Sequence, residues 1–378
     1  MNKYAITTLL FGDKKYITGS IINAYLHKKF IKKYNLKIDL TLMLDENLVE
    51  YKDELEKYYD RVYVIKIFET KISEKTDLRR YTKIMKYLPN KAQMFNLTEY
   101  EKVLFTDVDF LPITKEFYTI FDLDTPAFYS VEKFCDKFNQ VYDNAVFIDK
   151  KANKKYIETQ DYNSIIKNMS GSINASLMLI KPSKTDYDDF LLFKKKADSK
   201  DGIHTKYNVD EILILTFIIF VKKYDIHCIP KSYRVKAQSL NNKTLGVNFA
   251  SSLKPWIRLP VLQWKEENIW HIIAKKALKN SEIITDIYVD ELINNLRDFS
   301  TKYKLNEEIH GFNTQIFKTN GKEEMEKIMN YVIENKNLDN QNKNDYNKIK
   351  YIMDEVKKLH SYIEIPHNKM YNNVLILL

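Results

Sequence analysis

Lys102-Val103-Leu104-Phe105-Thr106-Asp107-Val108-Asp109 decides the reading of this chain. Three apolar residues, Val103 to Phe105, lead straight into two aspartates one residue apart. A short apolar run of this kind reads as a buried strand. Residues i and i+2 of an extended chain point the same way, so the Asp107 and Asp109 carboxylates are predicted to converge at the strand's end. Hard oxygen donors in that number suit Mn²⁺ or Mg²⁺, which take one or two carboxylates and complete their shell with substrate phosphates. Asp122-Leu123-Asp124 and Asp186-Tyr187-Asp188 repeat the spacing without an apolar strand behind them, and read as loop or cap aspartates.

The flanking sequence alternates strand and helix signals. Tyr4–Phe11 is apolar and β-rich, and Gly12-Asp13 reads as a turn. Ile17–Tyr34 carries apolar residues at helical spacing. Ile38–Leu44 reads as a strand, Leu48–Tyr58 as a helix, Arg61–Phe68 as a strand and Ala92–Tyr100 as a helix leading into the quoted segment. Such alternation predicts an α/β fold with a mostly parallel central sheet. Ligands of such sheets bind at the carboxyl ends of strands, so the residues after Phe11 and after Phe105 are the places to look. Farther on, residues 130–169 are polar and weakly periodic, in the manner of a long insertion. Ser172–Ile180 returns to strand character and Asn208–Val221 looks helical. Asp225–Ile229 reads as a short strand, and Pro255–Trp270 is irregular and holds all three tryptophans. Beyond about Lys279 the pattern is helical and amphipathic, broken by a polar linker at Asn335–Asn347.

Composition narrows the classes. The chain has 378 residues, 44% of them hydrophobic, enough for a sizeable core. Its net charge of +9 comes from lysines interspersed with acids, which reads as a solvated surface with attraction for anionic substrates. No nucleic-acid partner is expected on that pattern. Two cysteines, Cys135 and Cys228, form neither a finger nor a disulfide framework, and a reducing compartment follows. The longest apolar run, Ile212–Val221, falls far short of the roughly 20 residues of a membrane span, so no membrane anchor is expected. The cytoplasm is the predicted location. Glycine is scarce and Lys, Asn, Ile and Tyr abundant, a usage typical of AT-rich genomes, those of large DNA viruses included; a viral protein would work in the host cytoplasm or the virion.

Several segments, taken together and in order, resemble the glycogenin-like glycosyltransferases, family 8 of the GT-A fold. Lys91 to Asp109 is similar to that family's donor-site segment. Thr7-Thr8-Leu9-Leu10-Phe11-Gly12-Asp13 with Tyr16-Ile17-Thr18-Gly19 resembles its uridine-binding strand and turn. Ile173-Asn174-Ala175-Ser176-Leu177 is similar to its Asn-Ser-Gly strand. Val209-Asp210-Glu211 falls where the family has an Asp-Gln pair, and Trp270-His271 through Lys276 resembles its final His-x-x-Gly-x-x-Lys element. The resemblance implies a Rossmann-like GT-A domain over residues 1–280, including the 130–169 insertion, with a helical C-terminal extension over 281–378. It implies Mn²⁺, with Mg²⁺ as the alternative, held by Asp107, Asp109 and His271. Thr8, Leu9, Phe11 and Tyr16 would frame the nucleotide of a UDP-sugar donor, with Val108 and Ala175 alongside. Asn174 and Asp210 would hydrogen-bond the transferred sugar, Lys91 would contact the donor, and Lys275 or Lys276 would hold the leaving diphosphate. Lys91, Asp210 and Glu211 are the candidate catalytic residues.

The function so implied is transfer of a hexose or N-acetylhexosamine, with retention, from UDP-glucose, UDP-galactose or UDP-GlcNAc to a hydroxyl of a protein or glycan acceptor. Four positions depart from the family: Ala175, Ser176, Glu211 and Ala274. The rival readings are an inactive nucleotide-sugar-binding protein of the same fold, a basic nucleic-acid-binding protein, and a Mg²⁺-dependent phosphotransferase or nucleotidyltransferase.

Overall fold

The computed structural model describes residues 2–73, 82–130, 173–198, 202–203, 209–250, 254–256 and 268–277, with isolated positions between 155 and 165. Most of the 130–169 insertion, Tyr207-Asn208, the boundary near residue 280 and the C-terminal extension lie outside the described residues.

In chain order the strands are β1 (Tyr4–Leu10), β2 (Ile38–Asp45), β3 (Arg61–Ile65), β4 (Lys102–Thr106), β5 (Phe110–Pro112), β6 (Ala127–Ser130), β7 (Ile173–Ile180), β8 (His227–Ile229), β9 (Val235–Lys236) and β10 (Gly246–Asn248). The helices that matter below are α1 (Tyr16–Tyr34), α2 (Lys184–Ala197), α3 (Val209–Thr216) and α4 (Asn268–Ala277). The fold is mixed α/β. Seven strands form a sheet in the order β3-β2-β1-β4-β7-β6-β8. Every pairing is parallel except those of β7, which runs antiparallel to both β4 and β6. Nearly every residue of β1 and β2 is buried, which is what a parallel sheet covered on both faces demands. The mostly parallel sheet expected from the sequence is therefore present.

The chain divides into two compact units. The first comprises Met1–Gly12, Phe30–Phe110 and Lys115–Arg234 and holds the seven-stranded sheet. Helix α3, Val-Asp-Glu-Ile-Leu-Ile-Leu-Thr, is buried all round, as an apolar helix must be. It passes directly into a π-helical turn, Phe217–Val221, where the sequence reads as one continuous helix. Phe217 anchors that turn, with ring centroids 5.4 Å from Phe190, 5.8 Å from Phe193 and 6.1 Å from Phe95. Truncation of such a side chain to alanine costs about 3–5 kcal/mol.

Two predicted helices take other forms. Leu48–Tyr58 is a 3₁₀ segment over Glu46–Tyr51 and a single α turn at Lys52–Leu55, because Leu48 (φ −112°, ψ 15°) leaves the helical region. Ala92–Tyr100 is a 3₁₀ helix displaced to Leu88–Asn96, opened by Pro89 and ended at Leu97 (ψ 55°). Its register is set by Asn90. That side chain accepts from Phe68 N (3.0 Å) and donates to the carbonyls of Phe68 and Tyr87 (2.7 Å each).

The second unit comprises Asp13–Lys29, Leu111–Thr114 and the described residues from Val235 onward. Trp256 and Trp270, both fully buried, pack at a tilt of 37° with centroids 5.6 Å apart, and Tyr16 meets Trp256 edge-on at 5.9 Å. Gly19 makes room for that ring, since a Cβ there would stand 2.5 Å from Trp256 Cη2. Trp270 lies on helix α4, whereas the sequence placed it in an irregular stretch; residues 257–267 are outside the described residues. No helix among the described residues is long and apolar enough to cross a membrane.

Candidate active site

Strand β4 ends at Thr106 and delivers Asp107 to the carboxyl edge of the parallel strands. The chain turns at once: Phe110 N donates to Asp107 O (3.1 Å), so Asp107-Val108-Asp109 is a tight turn and not the extended segment expected. The carboxylates still share one neighbourhood, because the turn folds Asp109, 4% exposed, back beside Asp107 closely enough to act on its charge.

Antiparallel β7 brings its first half to the same edge. Thr106 pairs with Leu177, and Asp107 N donates to Ser176 O (3.2 Å). On the other side β7 bulges away from β6. Phe128 pairs with Met178 but Tyr129 pairs with Asn174, so Ala175, Ser176 and Leu177 face no residue of β6. Bulges re-aim backbone and side chains beside functional sites. Here the freed Ala175 N donates to Glu211 Oε1 (3.2 Å), and the freed Ala175 carbonyl accepts from Lys91 Nζ (3.2 Å).

Lys91 is the hub. Presented by the 3₁₀ helix Leu88–Asn96, its ammonium stands 3.0 Å from Asp107 Oδ1 and 2.9 Å from Asp210 Oδ2. With Ala175 O, these three acceptors match the three N–H donors of an ammonium group. A donor contact through Lys91, as the resemblance implies, would replace one of them. Burial opposes the charge on Lys91, but Asp107 and Asp210 outweigh it and hold the pKa above the usual lysine value. Burial and the negative charges of Asp109 and Asp210 push the Asp107 carboxyl up, against the pull of Lys91. Asp210, at the start of α3, is 2% exposed, and its Oδ1 has no hydrogen-bond partner among the described residues. A buried carboxylate oxygen left in that state is costly, and such atoms cluster where a ligand completes the bonding.

Lys91, Asp107, Asp109, Asn174, Ala175, Asp210 and Glu211 are thus brought together in the first unit. The remaining candidates have other surroundings. Thr8 is buried and ties two strand ends through Oγ1 to Thr106 O (2.6 Å). Leu9 is core. Phe11 is half-buried, edge-on to Tyr87 at 6.2 Å. It precedes Gly12 (φ +78°), whose N–H donates to Asp45 Oδ2 (3.3 Å). Val108 sits half-buried in the aspartate turn. Tyr16 belongs to the second unit, as do His271, Lys275 and Lys276 on α4, where Lys276 is exposed.

The donor set suits a hard divalent cation. Asp107 gives its Oδ1 to Lys91, and Asp109 adds a second carboxylate beside it. Among the described residues no three His, Cys, Asp or Glu side chains form a cage. Mn²⁺ and Mg²⁺ take one or two carboxylates where phosphate oxygens complete the shell.

Sequence reasoning did not single out Arg234. It is 3% exposed, lies over the Tyr129 ring (4.8 Å to the centroid) and donates through Nε to Ser176 Oγ. Arginine makes up only six of the 60 basic residues, and that scarcity was the available signal.

No family model matches the sequence. The chain is 28% identical over 268 residues to an uncharacterised protein, R707, of Acanthamoeba polyphaga mimivirus, covering 68% of this chain and 84% of that one. Among solved structures it is similar to the apo-form glycosyltransferase GlyE of Streptococcus pneumoniae TIGR4, with 14% identity, 77% of this chain covered and a TM-score of 0.42; the chain spans 64% of that protein's length. It is also similar to the galactosyltransferase LgtC in complex with donor and acceptor sugar analogs (13% identity, 72% of this chain, 95% of that one, TM-score 0.44). A third is a glycosyltransferase involved in glycosylation of the major capsid of PBCV-1 (8% identity, 71% and 98%, TM-score 0.36). Scores this low leave the functional reading to the site's own residues.

Proposed function

We propose that this chain is a metal-dependent glycosyltransferase of the GT-A type. It moves a hexose or N-acetylhexosamine from UDP-glucose, UDP-galactose or UDP-GlcNAc to a hydroxyl of a protein or glycan, with retention. The observation that carries the reading is the acidic cluster beyond β4: Asp107 and Asp210 on the buried ammonium of Lys91, Asp109 beside Asp107, and Asp210 Oδ1 without a hydrogen-bond partner among the described residues.

Asp107 and Asp109 would hold Mn²⁺ or Mg²⁺. The cation's chemistry is neutralisation of the leaving diphosphate. Lys91 fixes three elements at once, β4, β7 and α3, and so sets the angle at which Asp210 meets the sugar. Asp210 accepts a sugar hydroxyl through Oδ1 or serves as the nucleophile of a double displacement. Glu211 has a different part, since its carboxylate already accepts from Ala175 N and holds the β7 bulge in shape. Thr8, Leu9 and Phe11 frame the uridine. The enzyme works in the cytoplasm, in this reading, and its acceptor is not a nucleic acid.

Calorimetric titration of UDP into the protein tests this. Binding that needs Mn²⁺ and weakens at least tenfold with Asp109→Asn is the expected result. UDP bound as tightly in chelator as in Mn²⁺, or not bound at all, contradicts it.

A further inference from the structure

Ser176 Oγ is a relay. Arg234 donates to it through Nε, and Ser176 Oγ in turn hydrogen-bonds Asn174 Oδ1. The direction is forced. A guanidinium has only donors, so the Ser176 oxygen accepts from Arg234, and its single proton goes to Asn174. The Ser176 backbone N–H donates to the same Asn174 oxygen at 3.0 Å. Two donors on one oxygen settle which end of the amide is which. Asn174 Oδ1 is used, and the two N–H donors of Nδ2 have no hydrogen-bond partner among the described residues.

Those N–H groups sit at the carboxyl edge of the sheet. The next residue, Ala175, gives its carbonyl to Lys91, and Ser176 gives its carbonyl to Asp107 N. Asn174 is half-buried there while Arg234 behind it is buried, with its guanidinium over Tyr129. With glycine or alanine at position 176 the backbone N–H alone would hold the amide oxygen, and the orientation of Asn174 would be less firmly fixed.

We propose that Arg234 is a positioning residue which, through Ser176, locks Asn174 as a pure N–H donor, so that the site selects a ligand group with an acceptor oxygen at that point, a hydroxyl or carbonyl and not an amide N–H. This rests on the donor-site reading above, with the sugar as the group selected. Arg234 touches no ligand itself; its charge polarises the Ser176 hydroxyl, and charge-assisted bonds of this kind are the stronger ones.

The test is calorimetry in Mn²⁺ with UDP and with whichever of UDP-glucose, UDP-galactose and UDP-GlcNAc binds most tightly. Ser176→Ala and Arg234→Met are each expected to weaken UDP-sugar binding by about fivefold to tenfold, the worth of one oriented hydrogen bond. UDP binding should stay within about twofold. In an Asn174→Ala background neither substitution should weaken sugar binding further. Equal losses for UDP and UDP-sugar, no loss for either, or losses that add to that of Asn174→Ala would overturn the proposal. Ser176→Ala removes a single hydroxyl and decides the matter if Arg234→Met does not fold. A wild type that binds no UDP overturns the donor-site reading and this inference with it. A wild type that binds UDP-sugar with unchanged Ser176 and Arg234 variants overturns this inference alone.

Discussion

Lys91 and Asp210 form an ion pair sealed from solvent, with Nζ 2.9 Å from Oδ2 and side chains 8% and 2% exposed. Removing one partner of such a pair strands the other charge, at a cost of about 3–5 kcal/mol. Lys91→Met should therefore lose stability of that order in urea unfolding, and Asp210→Asn in the same background should restore part of it. Equal stability of Lys91→Met and wild type would contradict the hub. The pH dependence follows from the raised pKa of Lys91. Its contribution is complete below the unfolded value, about 10.5, and is lost only as the pH rises through the higher folded value. The gap between wild type and Lys91→Met should thus stay constant from pH 7 to 9.

Asn90 sets the helix that presents Lys91. Asn90→Asp keeps the shape but turns the donor shared by the Phe68 and Tyr87 carbonyls into an acceptor. A loss of about 2–3 kcal/mol is expected, the cost of buried carbonyls left unpaired beside a new charge. Activity should fall with it, because Lys91 shifts. Urea unfolding gives the first quantity and UDP release the second.

Gly19 predicts a steric effect in the second unit. Gly19→Ala places a methyl group 2.5 Å from a Trp256 ring carbon, within a packed aromatic cluster. Overpacking of this kind costs about 1–3 kcal/mol. Near-ultraviolet circular dichroism, which reports the fixed tryptophans, should change as stability falls.

His27 is fully buried on α1, and burial lowers its pKa to about 3. A lowered histidine stabilises the fold above the unfolded value of about 6.5, and that stability is lost as the pH falls toward the folded value. Between pH 7 and pH 5 the loss should be about 2 kcal/mol. His27→Gln should flatten this part of the stability profile. An unchanged slope would mean that another group governs it.

The strands β1 to β4 and the mostly parallel character of the sheet were legible because these segments are largely apolar runs alternating with helical spacing, and such alternation admits few topologies. The Asp107–Asp109 neighbourhood was legible for the same reason: an apolar strand led into it. Local geometry was not. The aspartates share a turn, not an extended segment, because the Asp107 carbonyl is bonded by Phe110 N, a choice no side-chain pattern encodes. Nor could sequence find the β7 bulge or Arg234, 58 residues from Ser176 along the chain, since both depend on pairings between distant strands. The 3₁₀ helix at Leu88–Asn96 is a similar case: the spacing allows an α-helix, and Pro89 with the tertiary bonds of Asn90 decides otherwise.

The central claim is that the carboxylates at the end of β4 serve transfer from a UDP-sugar, and release of UDP measures it most directly. Wild-type protein and Asp109→Asn should be offered UDP-glucose, UDP-galactose and UDP-GlcNAc, with Mn²⁺ and with chelator, in the presence of sugar and peptide acceptors. The account predicts release from one of these donors that needs the cation and drops at least a hundredfold in the variant, the loss of one charge-stabilising group. Release that persists in chelator or in Asp109→Asn, or none from any donor by a wild type that binds no UDP, would contradict it.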